Sequence, residues 1–331
     1  DIIFGFGNLF LEDVDQDYNG SLDNTDGMVE IVHGASLETL IAKQFNQTWT
    51  TFLSPTGSRD ANFGNDIAIG DVNKDGYDDI IIGAPYADES ALNDKDQGAI
   101  YVIYGQASLY INTYNASAQS YSSNSYGSSI EYFSLYSEFD DAEFGEAVAV
   151  VDLNGDDIDD IAVSMSEYGF VGGEGFVFIY LGRGPADPDL AVLIHGIAEG
   201  SELGEGEGSL QNLGDVNGDG FDDLGMKDTD GRFFILWGRS DWQANYDVDE
   251  DGFNDVHLID LSDPSNLNGS SISGSLIGAS FNFKGVGDVN GDGYADFLIS
   301  TPYKGWGSTY SGQEWGQSQL YYGQSNWLGE F

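Results

Sequence analysis

The sequence predicts an all-β fold: a β-propeller of about five blades, each with four antiparallel strands, in which the first blade is split or incomplete. Two observations predict this fold. A segment of similar sequence recurs four times in the 331 residues, and short runs of β-branched and aromatic residues flank each copy. The copies lie roughly 60–80 residues apart, a period that suits one blade and a variable connector.

Each repeat unit contains three recognisable strands. The first precedes the recurring motif, the second begins at the last aspartate of the motif, and the third follows a polar turn. The continuous apolar runs of the third strands are typical of strands buried on both faces. These third strands are GAIYVIYG (98–105), GFVFIYLG (175–182), GRFFILWG (231–238) and SQLYYG (318–323). We therefore predict one domain, residues 1–331, with units at approximately 1–34 (partial), 60–105, 140–182, 203–238 and 281–323.

The first unit is the partial one. Asp1-IIFGFG matches the second strand of the later units, and GMVEIVHG (27–34) matches their third strand. An unpaired strand edge attracts another strand, so we expect a segment from another chain to complete this blade. The alternative is that the missing strand belongs to the same polypeptide. Copies of the chain that complete one another in this way would assemble head to tail into a ring or a filament.

The motif between the first and second strands is D-x-N-x-D-G-x-x-D. Side chains at positions 1, 3, 5 and 9 and the backbone carbonyl at position 7 offer only oxygen ligands, which Ca²⁺ prefers. We predict four Ca²⁺ sites at one fixed place in the repeat. Their ligands are Asp71, Asn73, Asp75, Tyr77 (carbonyl) and Asp79; Asp152, Asn154, Asp156, Ile158 (carbonyl) and Asp160; Asp215, Asn217, Asp219, Phe221 (carbonyl) and Asp223; and Asp288, Asn290, Asp292, Tyr294 (carbonyl) and Asp296.

Two further loops fit the motif outside the blade position, and we predict that both are calcium clips on long loops. Their ligands are Asp15, Asp17, Asn19, Ser21 and Asp23, and Asp247, Asp249, Asp251, Phe253 and Asp255. Position 6 of the motif needs a positive φ, which glycine adopts without steric cost. Asp157 occupies position 6 of the second blade loop, so we expect a more strained backbone and a weaker site there.

The order of these motifs resembles that of the FG-GAP repeat, the blade of the integrin α-subunit head. The resemblance rests on F-G, then G-D-V-N-x-D-G-x-D-D, then I-x-x-G-A-P, then G-x-x-Y-V-x-x-G, which the unit at 60–105 matches almost completely. It implies a β-propeller, usually of seven blades, with calcium loops on one rim. The four full units and one partial unit of this chain favour five blades.

Composition limits the classes of partner. The chain has 57 Asp and Glu against 10 Lys and Arg, a formal net charge of −47. Such a surface repels nucleic acid and anionic membranes, so we expect neither as a partner. Cysteine is absent and no apolar run is long enough for a membrane span. Calcium in place of disulfides is compatible with an extracellular or cell-surface location.

The sequence favours a non-enzymatic function. Neither H-E-x-x-H nor G-x-S-x-G occurs, and the calcium loops account for most carboxylate pairs. Our interpretation is an extracellular calcium-binding propeller that serves adhesion or forms part of a surface assembly with other protein chains. The alternative is a lectin-type module that binds glycans through exposed aromatic residues such as Trp242, Trp306, Trp315 and Trp327.

Three asparagines in N-x-S/T sequences lie in segments that we expect to be exposed loops. If the source organism glycosylates secreted proteins, these are the predicted glycosylation sites. They are Asn46, Asn115 and Asn268. Asn19 also lies in such a sequence, but its side chain is a predicted calcium ligand.

Overall fold

The computed structural model describes residues 2–6, 28–32, 49–53, 61–88, 96–105, 114–115, 120–121, 132–168, 172–183, 188–242, 244–245, 256–263, 272–276, 281–302 and 316–325. All regular elements in these ranges are β-strands, so the all-β class is confirmed. The strands are β1 (Ile2–Phe6), β2 (Met28–Val32), β3 (Trp49–Leu53), β4 (Ile67–Gly70), β5 (Asp79–Ala84), β6 (Ala99–Ile103), β7 (Tyr114–Asn115), β8 (Ser120–Tyr121), β9 (Tyr132–Tyr136), β10 (Phe144–Val151), β11 (Asp160–Met165), β12 (Phe176–Leu181), β13 (Asp189–His195), β14 (Leu210–Gly214), β15 (Asp223–Lys227), β16 (Arg232–Leu236), β17 (His257–Asp260), β18 (Ile272–Leu276), β19 (Asn282–Gly287), β20 (Asp296–Thr301) and β21 (Gln317–Tyr321).

The strands form five sheets, which we number in chain order. Their strand orders are β1-β2-β3-β7-β8, β4-β5-β6-β9, β10-β11-β12-β13-β17, β14-β15-β16-β18 and β19-β20-β21. Only the second and fourth sheets have the four strands predicted for a blade. The first and third gain strands from the connectors, where β7 pairs parallel with β3 and β17 pairs parallel with β13. Among the described residues no sheet closes on itself, and the number of blades remains a prediction.

The chain divides into two compact units. The first comprises Asp1–Ile69 and Tyr77–Glu146, and the second comprises Gly70–Gly76 and Ala147–Phe331. The single domain over residues 1–331 remains a prediction.

In the first of the two compact units, an apolar cluster covers one face of the second sheet. Phe63, Ile82 and Tyr101 pack there together with Val29 of the first sheet. The ring of Tyr101 lies 5.3 Å from that of Phe63, and its hydroxyl lies 2.8 Å from the hydroxyl of Tyr136. Phe63 is the aromatic residue of the F-G motif, so the motif supplies a core side chain just before the first strand of its unit.

The glycine of the F-G motif permits a close approach between backbones. Gly145 has a φ of +94°, and a side chain there would meet the carbonyl of Ala99. The preceding residue, Phe144, is buried and forms a parallel bridge to Gly98, which opens the third strand of the second sheet. Only glycine combines this φ with this lack of space.

In the second of the two compact units, successive sheets pack face to face. Val177 of the third sheet and Phe234 of the fourth belong to one buried cluster. Phe233 points to the opposite face of the fourth sheet and packs on Phe283 of the fifth, with 4.7 Å between ring centroids. Because neighbouring residues of a strand point to opposite faces, β16 contributes to both clusters. This explains the continuous apolar run of that third strand.

The fifth sheet departs from the predicted burial on both faces. β21 lies inside the predicted strand 318–323 except for its first residue, but most of its residues are exposed. Val289 is 54 % exposed and Leu320 is 36 % exposed, whereas Val216 and Ile235, at the same positions of the preceding unit, are fully buried. In the fourth sheet, the residues at these positions are buried because the fifth sheet packs on them. Among the described residues, no sheet packs on the corresponding face of the fifth.

Candidate metal-binding loops

The four predicted blade loops lie at the same place in the fold. Each connects the first and second strands of its sheet, between β4 and β5, β10 and β11, β14 and β15, and β19 and β20. The last aspartate of the motif is in each case the first residue of the second strand. The unit at 203–238 has the same arrangement as its neighbours.

The carboxylate at position 1 organises the turn. In the third loop, Asp215 accepts hydrogen bonds from the backbone N–H groups of Gly218 at 2.6 Å, Asp219 at 3.1 Å and Gly220 at 2.9 Å. Three equivalent bonds reach Asp152 in the second loop and Asp288 in the fourth. Converging N–H groups of this kind favour an ionised carboxylate, and they lower the pKa of Asp288.

Positions 3 and 5 form a second set of contacts. Asn217 accepts a hydrogen bond from the N–H of Asp219 at 2.8 Å and donates one to its carboxylate at 3.0 Å. The other carboxylate oxygen of Asp219 accepts from the N–H of Phe221 at 3.1 Å. The side chains and backbone are therefore fixed within one tight turn, and the pattern recurs in the fourth loop.

Two positions of each loop have a positive φ. Position 6 has a φ of +95° at Gly220 and +60° at Asp157. The expected strained backbone at Asp157 is thus present, because a side chain there occupies a region that L-residues rarely adopt. Position 4 also has a positive φ, with +76° at Gly218 and +60° at Lys74. The sequence analysis identified the requirement only at position 6.

The aspartate at position 9 is completely buried in all four loops. One carboxylate oxygen of Asp223 accepts from the N–H of Val216, at position 2, at 2.9 Å. The other accepts from the N–H of Gly238, which ends the third strand, at 3.0 Å. Asp160 and Asp296 make the same pair of bonds. This carboxylate therefore joins the start of the loop to the far end of the third strand.

The glycine that follows each third strand is part of the repeated sequence pattern, but its role was not predicted from the sequence. Gly105, Gly182, Gly238 and Gly323 all donate a backbone hydrogen bond to the position-9 aspartate of their unit. A side chain on Gly238 would meet the carbonyl of Asp222. The recurrence of this glycine after every third strand was the signal in the sequence.

Burial and like charge both disfavour ionisation of two position-9 aspartates, Asp160 and Asp223. Burial raises the pKa of Asp223 to about 8, and the neighbouring carboxylates of Asp219 and Asp215 raise it further. Burial likewise raises the pKa of Asp160 to about 8, with Asp152 and Asp156 adding to the shift. Among the described residues, no Lys or Arg forms an ion pair with either side chain. A bound cation would reverse the shift.

The chemistry of these loops fits Ca²⁺, because every donor is an oxygen and three of the five are carboxylates. In the described part of the chain, no three His, Cys, Asp or Glu side chains converge on a common point. Several carboxylate oxygens are turned towards backbone N–H groups instead. The ligand assignments therefore remain predictions.

Several predicted sites lie outside the described residues. These are the two additional loops, at Asp15–Asp23 and Asp247–Asp255, and the asparagines Asn46 and Asn268. Asn115 is the second residue of the short strand β7, rather than part of an irregular loop. Its glycosylation remains a prediction.

Comparison with known proteins identifies the repeats. The family model of the FG-GAP repeat matches residues 63–103, 144–180 and 285–313. The chain therefore carries FG-GAP repeats, as the resemblance of its motifs predicts. The unit at 203–238 is not among the matched segments, yet its loop has the same hydrogen bonds.

Curated relatives of the chain are integrin alpha subunits. Integrin alpha-5 of Xenopus laevis is 25% identical over 277 residues, which are 77% of this chain and 21% of that protein. Integrin alpha-4 of the same organism is 29% identical over 166 residues, or 50% of this chain and 14% of that protein. The chain thus spans about a fifth or less of these relatives. They are extracellular or cell-surface proteins, which agrees with the predicted location.

The described residues contain no helix with the length and apolar character of a membrane span.

Asp160 and Asp223 predict an inverted pH dependence for the metal-free protein. Their pKa is about 8 in the folded state and about 4 in an unfolded chain. The folded state therefore binds these protons more tightly, so the stabilisation is complete below about pH 4 and is lost as the pH rises towards 8. In chelator, the free energy of unfolding in urea should fall between about pH 5 and about pH 8.

Two controls isolate this effect. The variant Asp160→Asn removes one of the titrating groups and should fall less steeply than the wild type. Excess calcium holds the carboxylates ionised and should abolish the fall. A metal-free protein whose stability rises over this pH range would contradict the assignment of raised pKa values.

Proposed function

We propose that the chain is a non-enzymatic, extracellular calcium-binding module that serves adhesion. One observation carries the proposal: in four consecutive sheets, a loop with the same oxygen-bearing residue types leads into a completely buried aspartate. Buried carboxylates are costly unless a positive charge or sufficient hydrogen bonds compensate them. For Asp160 and Asp223, which form no ion pair with a Lys or Arg of the described residues, a divalent cation is the simplest compensation.

The proposed role of calcium is structural. In the third loop, Asp215, Asn217, Asp219, Asp223 and the carbonyl of Phe221 would hold the ion. Calcium would supply two positive charges to a turn that otherwise crowds three carboxylates together. The protein residues position the donors: the positive φ at positions 4 and 6 closes the turn, and the strand β15 fixes the aspartate at position 9.

A propeller arrangement of the sheets belongs to this proposal. Its support is the face-to-face packing of the third, fourth and fifth sheets, together with the exposed apolar positions on the fifth. Val289 and Leu320 occupy positions that the fourth sheet buries beneath its neighbour. A further sheet of the same kind would bury them in the same way, as closure of a propeller requires.

The adhesion role rests on the integrin alpha relatives. Integrin alpha subunits pair with other protein chains at the cell surface, and we propose a protein partner for this chain on that ground. The chain spans only a small part of those proteins, so the identity of the partner does not follow from the similarity. Self-assembly through the first blade remains a prediction of the sequence.

The lectin alternative gains no supporting observation from the described residues. Trp242 is partly buried against the apolar cluster between the third and fourth sheets. The guanidinium of Arg239 lies 5.7 Å from its ring centroid, and the ring of His257 lies 5.6 Å away. These contacts occupy much of the aromatic surface that a sugar would need. Trp306, Trp315 and Trp327 lie outside the described residues.

Calcium should raise the melting temperature strongly. Binding to the folded state alone adds about 2.7 kcal/mol per site at a hundredfold excess over the dissociation constant. Scanning calorimetry in calcium and in chelator, at one constant ionic strength, measures the difference. Magnesium at the same concentration is the control and should stabilise less, because it demands stricter octahedral geometry. Equal melting temperatures in calcium and chelator would refute the structural role of the ion.

Adhesion should depend on the same ions. Cells that attach to the immobilised protein in calcium should detach in chelator, since the loops lose their compensating charge. The double variant Asp219→Ala, Asp292→Ala should support weaker attachment, while Glu199→Gln, at an exposed position away from the loops, should behave like the wild type. Attachment that is unchanged by chelator and by the double variant would contradict a calcium-dependent adhesion role.

A further inference from the structure

Lys74 is the one cationic residue at position 4 of the four blade loops. The other three loops have Gly155, Gly218 and Gly291 at that position. All four residues have a positive φ, which is +60° at Lys74. A side chain at this position therefore requires a less favourable backbone than glycine would. Only the first of these loops therefore has a side chain at position 4 that can extend to the next loop.

The side chain of Lys74 reaches the next calcium loop. Its ammonium donates a hydrogen bond to the backbone carbonyl of Asp156 at 2.7 Å. Asp156 occupies position 5 of the loop 152–160, and its carboxylate is a proposed calcium ligand. The ammonium is thus held beside the donor set of the second loop, within the second compact unit.

The later junctions between loops have a different contact. Position 4 of one loop there faces an aromatic side chain at position 7 of the next. The ring of Phe221 lies 2.7 Å from where a Cβ on Gly155 would stand, and Tyr294 packs in the same way on Gly218. At the first junction, position 7 of the next loop is Ile158. Neutral aromatic packing is thus replaced by a charged contact.

Backbone contacts fix the spacing of the first and second loops. The N–H of Asp71 donates to the carboxylate of Asp159 at 2.8 Å, and the N–H of Asp159 donates to the carbonyl of Asp71 at 3.2 Å. Both residues belong to the calcium motifs, at position 1 of one loop and position 8 of the next. These contacts hold the loop that carries Lys74 beside the second loop, within reach of its ammonium.

We propose that Lys74 lowers the calcium affinity of the neighbouring loop 152–160, in addition to the effect of Asp157, so that this loop binds calcium more weakly than the loops 215–223 and 288–296. The proposal rests on the calcium-binding function proposed above and assigns a regulator to one of its sites. A fixed positive charge beside the donor set opposes a divalent cation. Because Lys74 is exposed, water and salt weaken this repulsion, and we expect a change in affinity of about threefold at physiological salt and more at low salt.

The variant Lys74→Gln tests the role of the charge. Glutamine retains an N–H donor for the carbonyl of Asp156 but has no positive charge. Hydrogen exchange followed by mass spectrometry, across a calcium titration, reports each loop separately through its own peptide. In the wild type, the loop 152–160 should become protected at a higher calcium concentration than the loops 215–223 and 288–296. In Lys74→Gln, its midpoint should fall by about threefold, and the other two midpoints should not move.

Two control variants separate charge from structure. Lys74→Arg keeps the charge and should retain the wild-type midpoint. Lys284→Gln makes the same change in net charge on the fifth sheet and should leave the loop 152–160 unaffected. The effect of Lys74→Gln should also shrink in high salt, because screening weakens it.

Specific outcomes would overturn the proposal. An unchanged or raised midpoint for the loop 152–160 in Lys74→Gln would show that the ammonium does not oppose the ion. Equal shifts in all three loops would show a change in overall charge or stability instead. If no loop of the wild type gains protection in calcium, then the proposed function itself fails, and that result is distinct from a failure confined to Lys74.

Discussion

The buried carboxylate at position 9 of each loop is the constraint on which the rest of the structure depends. Asp223 holds the N–H of Val216 with one oxygen and the N–H of Gly238 with the other. One side chain therefore fixes the start of the loop and the end of the third strand. Burial raises the pKa of Asp223 to about 8 in the absence of a cation, although the two backbone hydrogen bonds lower it. The position that joins loop and strand is therefore one that a nearby positive charge would stabilise.

A second repeated contact, between the backbones of successive loops, explains how neighbouring repeats remain in register. The N–H of Asp222 donates to the carbonyl of Asp152, and the N–H of Ala295 donates to the carbonyl of Asp215. Each bond links position 8 of one loop to position 1 of the loop before it. Apolar clusters between the sheets lie below these links. Calcium bound in the loops would therefore stabilise the packing of sheets as well as single turns, in a chain that has no cysteine.

The sequence predicted the features that depend on local pattern. The repeated motif located the four loops, and the apolar runs located the third strands β6, β12, β16 and β21, because both signals are short and regular. The connectors have no such pattern. The strands β7 and β17 therefore were not predicted, since their parallel pairing depends on neighbours distant in the chain. The exposure of Val289 and Leu320 could not be predicted either, because identical positions are buried or exposed according to what packs on the sheet.

The candidate site was predicted at the level of residue types but not of contacts. The motif gives the oxygen donors directly, whereas the two backbone partners of Asp223 come from position 2 and from a glycine 15 residues away along the chain. The hydrogen bond from Lys74 to the next loop likewise depends on how two successive loops pack together. A pattern within one unit has no information about such contacts.

The most direct test compares Asp223→Asn with the wild type in chelator and in calcium, by urea unfolding at about pH 8. Asparagine removes the buried charge and one acceptor but keeps the size of the side chain. The account predicts that the variant loses some stability in chelator, because one of the two backbone N–H groups loses its acceptor. Its loss in calcium should be larger by about 2 kcal/mol, because the site has also lost a charged ligand. An equal loss of stability in both conditions would show that Asp223 only joins strands and that calcium does not depend on it.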